Sequence, residues 1–139
     1  MFHRILFPSD FVQRDSAALA QVKDLAISNE STVFLLHVIE TIRDTSFDEM
    51  RDFYRDLEGS VRSRMQPVYD ELTAAGIRCE EHIVFGSRVR EVMRCATEWK
   101  ADLIVLQSHR INPDEPFEGW GSMSQKIAHL ASIPVMLVK

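Results

Sequence analysis

At 139 residues the chain is sized for one domain spanning 1–139, since two would each fall below the usual range. Hydrophobic residues make up 45% and charged residues 27%, enough apolar surface to offset the ordering entropy, so a disordered chain is excluded. Sixteen basic residues against 21 acidic ones leave a net charge of -5, and the twelve arginines scatter from Arg4 to Arg110. No basic run offers a footprint for nucleic acid or an anionic membrane.

In chain order, the first apolar run is Ile5-Leu6-Phe7, stopped by Pro8-Ser9-Asp10. Ala18, Leu19, Val22, Leu25 and Ala26 then share one helical face, with Asp15 or Ser16 as N-cap. Thr32 to Ile39 is almost continuously apolar, as suits a strand covered on both faces. Met50, Phe53, Tyr54, Leu57, Val61, Val68, Leu72 and Ala75 keep the helical period over a long stretch, with Asp48–Arg51 and Glu58–Arg62 pairs and a solvated face of arginines. Pro67 predicts a kink or break there, and Gly76 a C-terminal stop.

Ile77 to Phe85 reads as a strand whose Arg78, Glu80 and Glu81 predict an edge position. Gly86-Ser87 opens a helix carrying Val89, Val92, Met93, Ala96 and Trp99, and Leu103 to Leu106 is another buried strand. Gln107 to Trp120 lacks apolar periodicity and reads as a loop. Ser122 and Gln125 form a capping box for a last helix, and Val135-Met136-Leu137-Val138 is the final strand. Five strands alternating with four helices predict an α/β fold with one mainly parallel, doubly wound sheet.

Cys79 and Cys95 lack metal or redox spacing and read as small buried hydrophobes. The N-terminus is too interrupted for a signal peptide, and no apolar stretch approaches a membrane span, so the expected compartment is the cytoplasm. His37 reads as a satisfied core histidine, and His82 and His129 as lying on a strand face and a helix face, with no partner that the sequence names. No spacing supports a catalytic triad, so no catalytic residue is assigned.

In such a sheet, ligands bind beyond the carboxyl ends of the strands. Pro8-Ser9-Asp10, the end of the second strand at Val38, and the stretch from Gln107 to Ser122 converge there. Asp10 either accepts hydrogen bonds from a base or ribose or simply caps a turn. Gly121 and Ser122 begin a helix, whose free N–H groups and hydroxyl make a phosphate seat.

The blocks ILFPSD, STVFLLHVIE, VFGSRVREVMRCATEWKADLIVL and GSMSQKIAHLASIPVMLVK, in this order and spacing, resemble the universal stress proteins over essentially the whole chain. The resemblance implies the strand order 3-2-1-4-5, a tendency to dimerise, and ATP as cofactor in some members only. Nucleotide-binding members carry Gly, two residues, Gly, nine residues, Gly, then Ser or Thr after the fourth strand. Here that stretch is Gln107-Ser108-His109-Arg110, then ten residues, then Gly121-Ser122. Only the last pair matches. Side chains at Gln107 and Arg110 crowd a loop whose backbone must approach phosphate, and Asp114, Glu115 and Glu118 add the wrong charge, although Arg110 could fork a phosphate. The expectation is therefore a binding or interaction protein that does not hold ATP tightly. The alternative is a nucleotide-binding member with slow hydrolysis or ligand-gated switching. Phe117 or Trp120 is expected to fold back over the nucleotide space. The uncharged final strand is expected at a sheet edge, where Val135 to Val138 of two copies pair about a two-fold axis.

Overall fold

All five apolar runs become strands in a computed structural model that describes residues 1–12, 16–42, 46–108 and 123–139. The elements are β1 (Arg4–Pro8), α1 (Ala17–Asn29), β2 (Thr32–Glu40), α2 (Arg51–Ala74), β3 (Arg78–Gly86), α3 (Arg88–Glu98), β4 (Leu103–Gln107), α4 (Met123–Leu130) and β5 (Val135–Val138). The five strands form one parallel sheet in the order β3-β2-β1-β4-β5. This is the α/β, doubly wound architecture expected, with β3 and β5 at its edges.

Alternation along the strands divides the core into two layers. Ile5, Phe7, Val33 and Leu35 pack with α1 and α2, whereas Leu6, Phe34, Leu36 and Ile104 pack with α3 and α4. Ser16 caps α1 by accepting from the Leu19 N–H at 3.1 Å; Asp15, the other expected cap, lies outside the described residues. Gly76 follows the end of α2 with φ 82°, the left-handed turn that favours glycine. Asp102 fixes the start of β1, its two carboxylate oxygens accepting from the His3 and Arg4 N–H groups.

The proline expectation fails in part: α2 runs unbroken through Pro67. A proline inside a helix costs about 3 kcal/mol. Met65 and Val68, on either side of it, are both fully buried, and each such side chain is worth about 1.5–3 kcal/mol. Burial on both sides of the proline therefore holds the helix together. The buried stripe also differs in detail, because Phe53 and Ala75 are exposed and Met65 joins the core. The Asp48–Arg51 and Glu58–Arg62 pairs form at 2.9 and 3.0 Å. His82 does have partners: its ring stacks on Trp99 with centroids 4.1 Å apart, and its Nε2 meets Glu80 at 3.1 Å. The β3 alternation turns His82 toward α3, a contact that distant sequence positions conceal.

Candidate functional site

β1 stops short of its neighbour. Pro8 is in register with Leu36, but β2 continues to Glu40 and, among the described residues, is paired over His37–Glu40 with β3 alone. From β1 the chain proceeds outward through β2 and β3, then returns to β4 and β5 on the other side. The strand order therefore reverses between β1 and β4, and a crevice opens above the end of β1. Val38 belongs to its β2 wall. The Val38 side chain is buried in the α3/α4 layer, so only its backbone can serve a ligand.

The loop after β1 floors this crevice and is tied down from three sides. The Ser9 N–H donates to the Leu36 carbonyl at 3.0 Å, and the Ser9 hydroxyl accepts from the Phe11 N–H at 3.0 Å. Asp10 is exposed, and its Oδ1 accepts from the Val12 N–H at 3.0 Å, a turn-capping bond. Arg64 reaches in from α2 and donates Nε to the Asp10 carbonyl at 3.1 Å. His37 Nδ1 lies 2.8 Å from the Ser9 carbonyl. A carbonyl only accepts, so Nδ1 carries the proton and Nε2 is the unprotonated nitrogen of the neutral ring. Burial lowers the His37 pKa, the Ser9 bond opposes this, and Arg64 and Arg88 lower it further. The anchored loop holds Phe11 at φ 58°, rare for an aromatic residue; its ring is buried and meets Phe7 edge-on at 6.1 Å.

On the β4 side, the Gln107 carboxamide makes two bonds. Its Oε1 accepts from the Ala18 N–H at 2.9 Å, and its Nε2 donates to the Val138 carbonyl at 3.2 Å. The Ser108 N–H donates to the same carbonyl at 2.7 Å. Gln107 thus occupies an N–H in the first turn of α1, and Ser16 occupies another. These are the donors that a helix start otherwise presents to an anion.

Pro8, Ser9, Asp10, Val38, Gln107 and Ser108 all lie at the carboxyl ends of β1, β2 and β4. His109, Arg110, Gly121 and Ser122 lie outside the described residues, as do Phe117 and Trp120. Sequence reasoning passed over Arg64, grouped with a solvated arginine face, because only the packing of α2 on β2 and β3 brings it to the Asp10 carbonyl. His37 was read as a core residue; it is half-buried and bonded, but at the crevice. Glu40 and Arg88 approach at 3.5 Å on the rim. Among the described residues no group of three or more His, Cys, Asp or Glu could hold a metal ion, and no helix is long and apolar enough to cross a membrane.

A parallel sheet in this order, with its reversal between β1 and β4, defines a doubly wound α/β protein. The profile of the universal stress protein family matches residues 1–139, and the chain belongs to that family. It is 26% identical to universal stress protein MJ0577 of Methanocaldococcus jannaschii over 157 aligned positions, covering 100% of this chain and 96% of that one. The solved structure of MJ0577 superposes with a TM-score of 0.83. Universal stress protein G of Escherichia coli O157:H7 is also 26% identical, with both chains covered in full. A universal stress protein crystallised in complex with cAMP shares the fold at a TM-score of 0.73 and 18% identity, covering 99% of this chain and 97% of that one.

Proposed function

We propose that the chain, as one domain over 1–139, is a cytoplasmic protein of stress response that acts by binding or protein interaction and does not hold ATP tightly. The observation that carries this reading is Gln107, whose carboxamide occupies the Ala18 N–H and the Val138 carbonyl. It stands where nucleotide-binding members have the first glycine of their motif. A phosphate at that wall would have to displace both bonds. The two free thiols lie in opposite core layers, Cys79 beside the α2 layer and Cys95 in the α3 layer, an arrangement suited to a reducing compartment.

A melting experiment with and without ATP and Mg2+ tests this directly. A ligand at a hundredfold over its dissociation constant adds about 2.7 kcal/mol of stability. We expect no shift at millimolar ATP, and a clear one would overturn the reading. The alternative is a nucleotide-binding member using Asp10, the Val38 backbone, Gly121 and Ser122. It draws support from the open β2 wall at His37–Glu40 and from the cAMP complex of a relative. AMP and cAMP, which lack a triphosphate, are therefore included as probes.

The same proposal includes a homodimer through β5. Ile104 donates to the Pro134 carbonyl and Ser108 to that of Val138, so even-numbered residues of β5 face β4. Val135 and Leu137 then direct their backbone groups outward. Leu137→Pro removes an outward donor and should convert dimer to monomer. Met136→Pro breaks the ladder within the chain instead, and should lower stability. Light scattering showing a monomer at about ten micromolar, a concentration at which specific interfaces are formed, refutes the dimer.

A further inference from the structure

β3 is an outer strand of nine residues, against four in β5. Among the described residues no strand pairs with its outer side, so alternate backbone N–H and C=O groups point away from the sheet. Beside this edge, Arg62, Gln66 and Tyr69 of α2 and Cys79, Glu80, Glu81 and His82 of β3 line an open groove of about 420 Å3. Arg62 is already engaged by Glu58 at 3.0 Å. Glu81 is held above the ordinary carboxylate range, chiefly by burial and further by Asp70, with Arg62 opposing. Glu80 meets the His82 Nε2 at 3.1 Å, so the two carboxylates face one imidazole and one arginine that Glu58 already engages. Farther along, Ile83, Val84 and Phe85 are half-buried and uncharged.

We propose that β3 takes up an extended segment of a partner protein as a further strand, with two consecutive basic side chains beside Glu80 and Glu81 and β-branched or aromatic ones beside Ile83 to Phe85. The proposal rests on reading the chain as an interaction protein and names the chemistry of its partner. Main-chain bonds to the free edge supply affinity, and side-chain alternation supplies selection. Glu80 and Glu81 point to opposite faces, so one cation is needed on each face. A second copy of β3 does not satisfy this. Full antiparallel pairing of residues 78–86 with their own copy is centred on His82, and sets Glu80 against Val84 and Glu81 against Ile83. Two carboxylates would then lose water to aliphatic partners.

The test uses a fluorescein-labelled synthetic peptide of two lysines next to a valine- and isoleucine-rich run, and a control with glutamates in place of the lysines. Anisotropy should show the lysine peptide binding at least tenfold more tightly, a margin of about 1.4 kcal/mol. Amide exchange should slow across 78–86 on binding, and Glu80→Lys with Glu81→Lys should reverse the preference. The proposal is overturned by absence of binding, by binding without slowed exchange at 78–86, or by an unchanged preference in the double variant. Protection of 78–86 that grows with protein concentration alone would assign the edge to a second copy and overturn it too. The ATP melting experiment remains separate: an ATP-stabilised protein that still takes the lysine peptide leaves strand addition standing.

Discussion

Gln107→Ala isolates the contact on which the nucleotide reading turns. It deletes an acceptor for Ala18 and a donor to Val138, both at part-buried positions. A neutral hydrogen bond contributes about 0.5–1.5 kcal/mol net, so the pair contributes about 1–3 kcal/mol. Gln107 is only half-buried, and water can reach the groups it leaves behind, which places the loss in the lower half of that range. For a chain of this size each kcal/mol moves the melting point by about 2–5 °C, so a loss of about 1–2 kcal/mol lowers it by about 2–10 °C.

Gln107→Glu provides the internal comparison. A carboxylate still accepts from Ala18 and gains about 0.3–1 kcal/mol from the start of α1, but it cannot donate to Val138. Amide exchange at Ala18 should therefore accelerate in the alanine variant and not in the glutamate variant. Denaturation followed by circular dichroism and by tryptophan fluorescence gives the stabilities. Loss of less than 0.5 kcal/mol in the alanine variant, about the range of a neutral surface change, would refute the bridging role. If Gln107 also excludes phosphate, the alanine variant should show a larger ATP-induced shift than the unmodified protein. Equal shifts would mean that something other than Gln107 limits phosphate access.

His37 should titrate below its ordinary 6.5 by NMR. The unfolded chain then binds the proton first, so stability falls as pH drops from about 6.5 toward the folded value and is unaffected above it; titration at or above 6.5 contradicts this. Arg64→Ala should speed amide exchange at Phe11 and Val12 while costing no more than about 1 kcal/mol, as fits a partly exposed bond; unchanged exchange would show that Arg64 does not hold the loop. Pro67→Ala restores an N–H toward the Ser63 carbonyl and should stabilise by at least about 1 kcal/mol in denaturant; a net loss would mean that proline packing outweighs the missing bond.

The architecture was legible because each buried strand of a parallel sheet is a short, nearly continuous apolar run. Ile5 to Phe7, Thr32 to Ile39 and Leu103 to Leu106 announce themselves without any tertiary information. The crevice was legible in part, since the carboxyl ends of β1, β2 and β4 follow from where those runs stop. Arg64 and His37 were not legible as crevice residues. Arg64 lies 54 positions from its partner Asp10, on a helix whose other arginines do face solvent. His37 interrupts an apolar run, and nothing local shows that its ring meets a carbonyl 28 positions earlier. Gln107 was legible only as a side chain in place of the glycine that the family resemblance implies. Its direction was not readable, because the bonds run to α1 and to the chain's last strand.

The two sheet edges carry opposite chemistry, and this decides what each can accept. Antiparallel pairing of β5 with its own copy about a two-fold axis at Met136 sets Val135 against Leu137 and Met136 against its own copy, so that the outward-facing residues 135 and 137 bond to each other. Every opposed pair is then apolar, and the four half-buried side chains of the strand lose water together. The same operation on β3 leaves two carboxylates against aliphatic side chains. The proposed dimer through β5 would bury an edge that otherwise recruits any apolar strand, while β3 would stay in solvent behind Arg78, Glu80 and Glu81. Charge at an edge excludes most strands and admits the few that bring the opposite sign. The crevice at β1 remains clear of both edges, since β2 and β4 separate it from them. The proposed dimer through β5 and the proposed strand addition at β3 would therefore use separate edges, neither of which includes the end of β1.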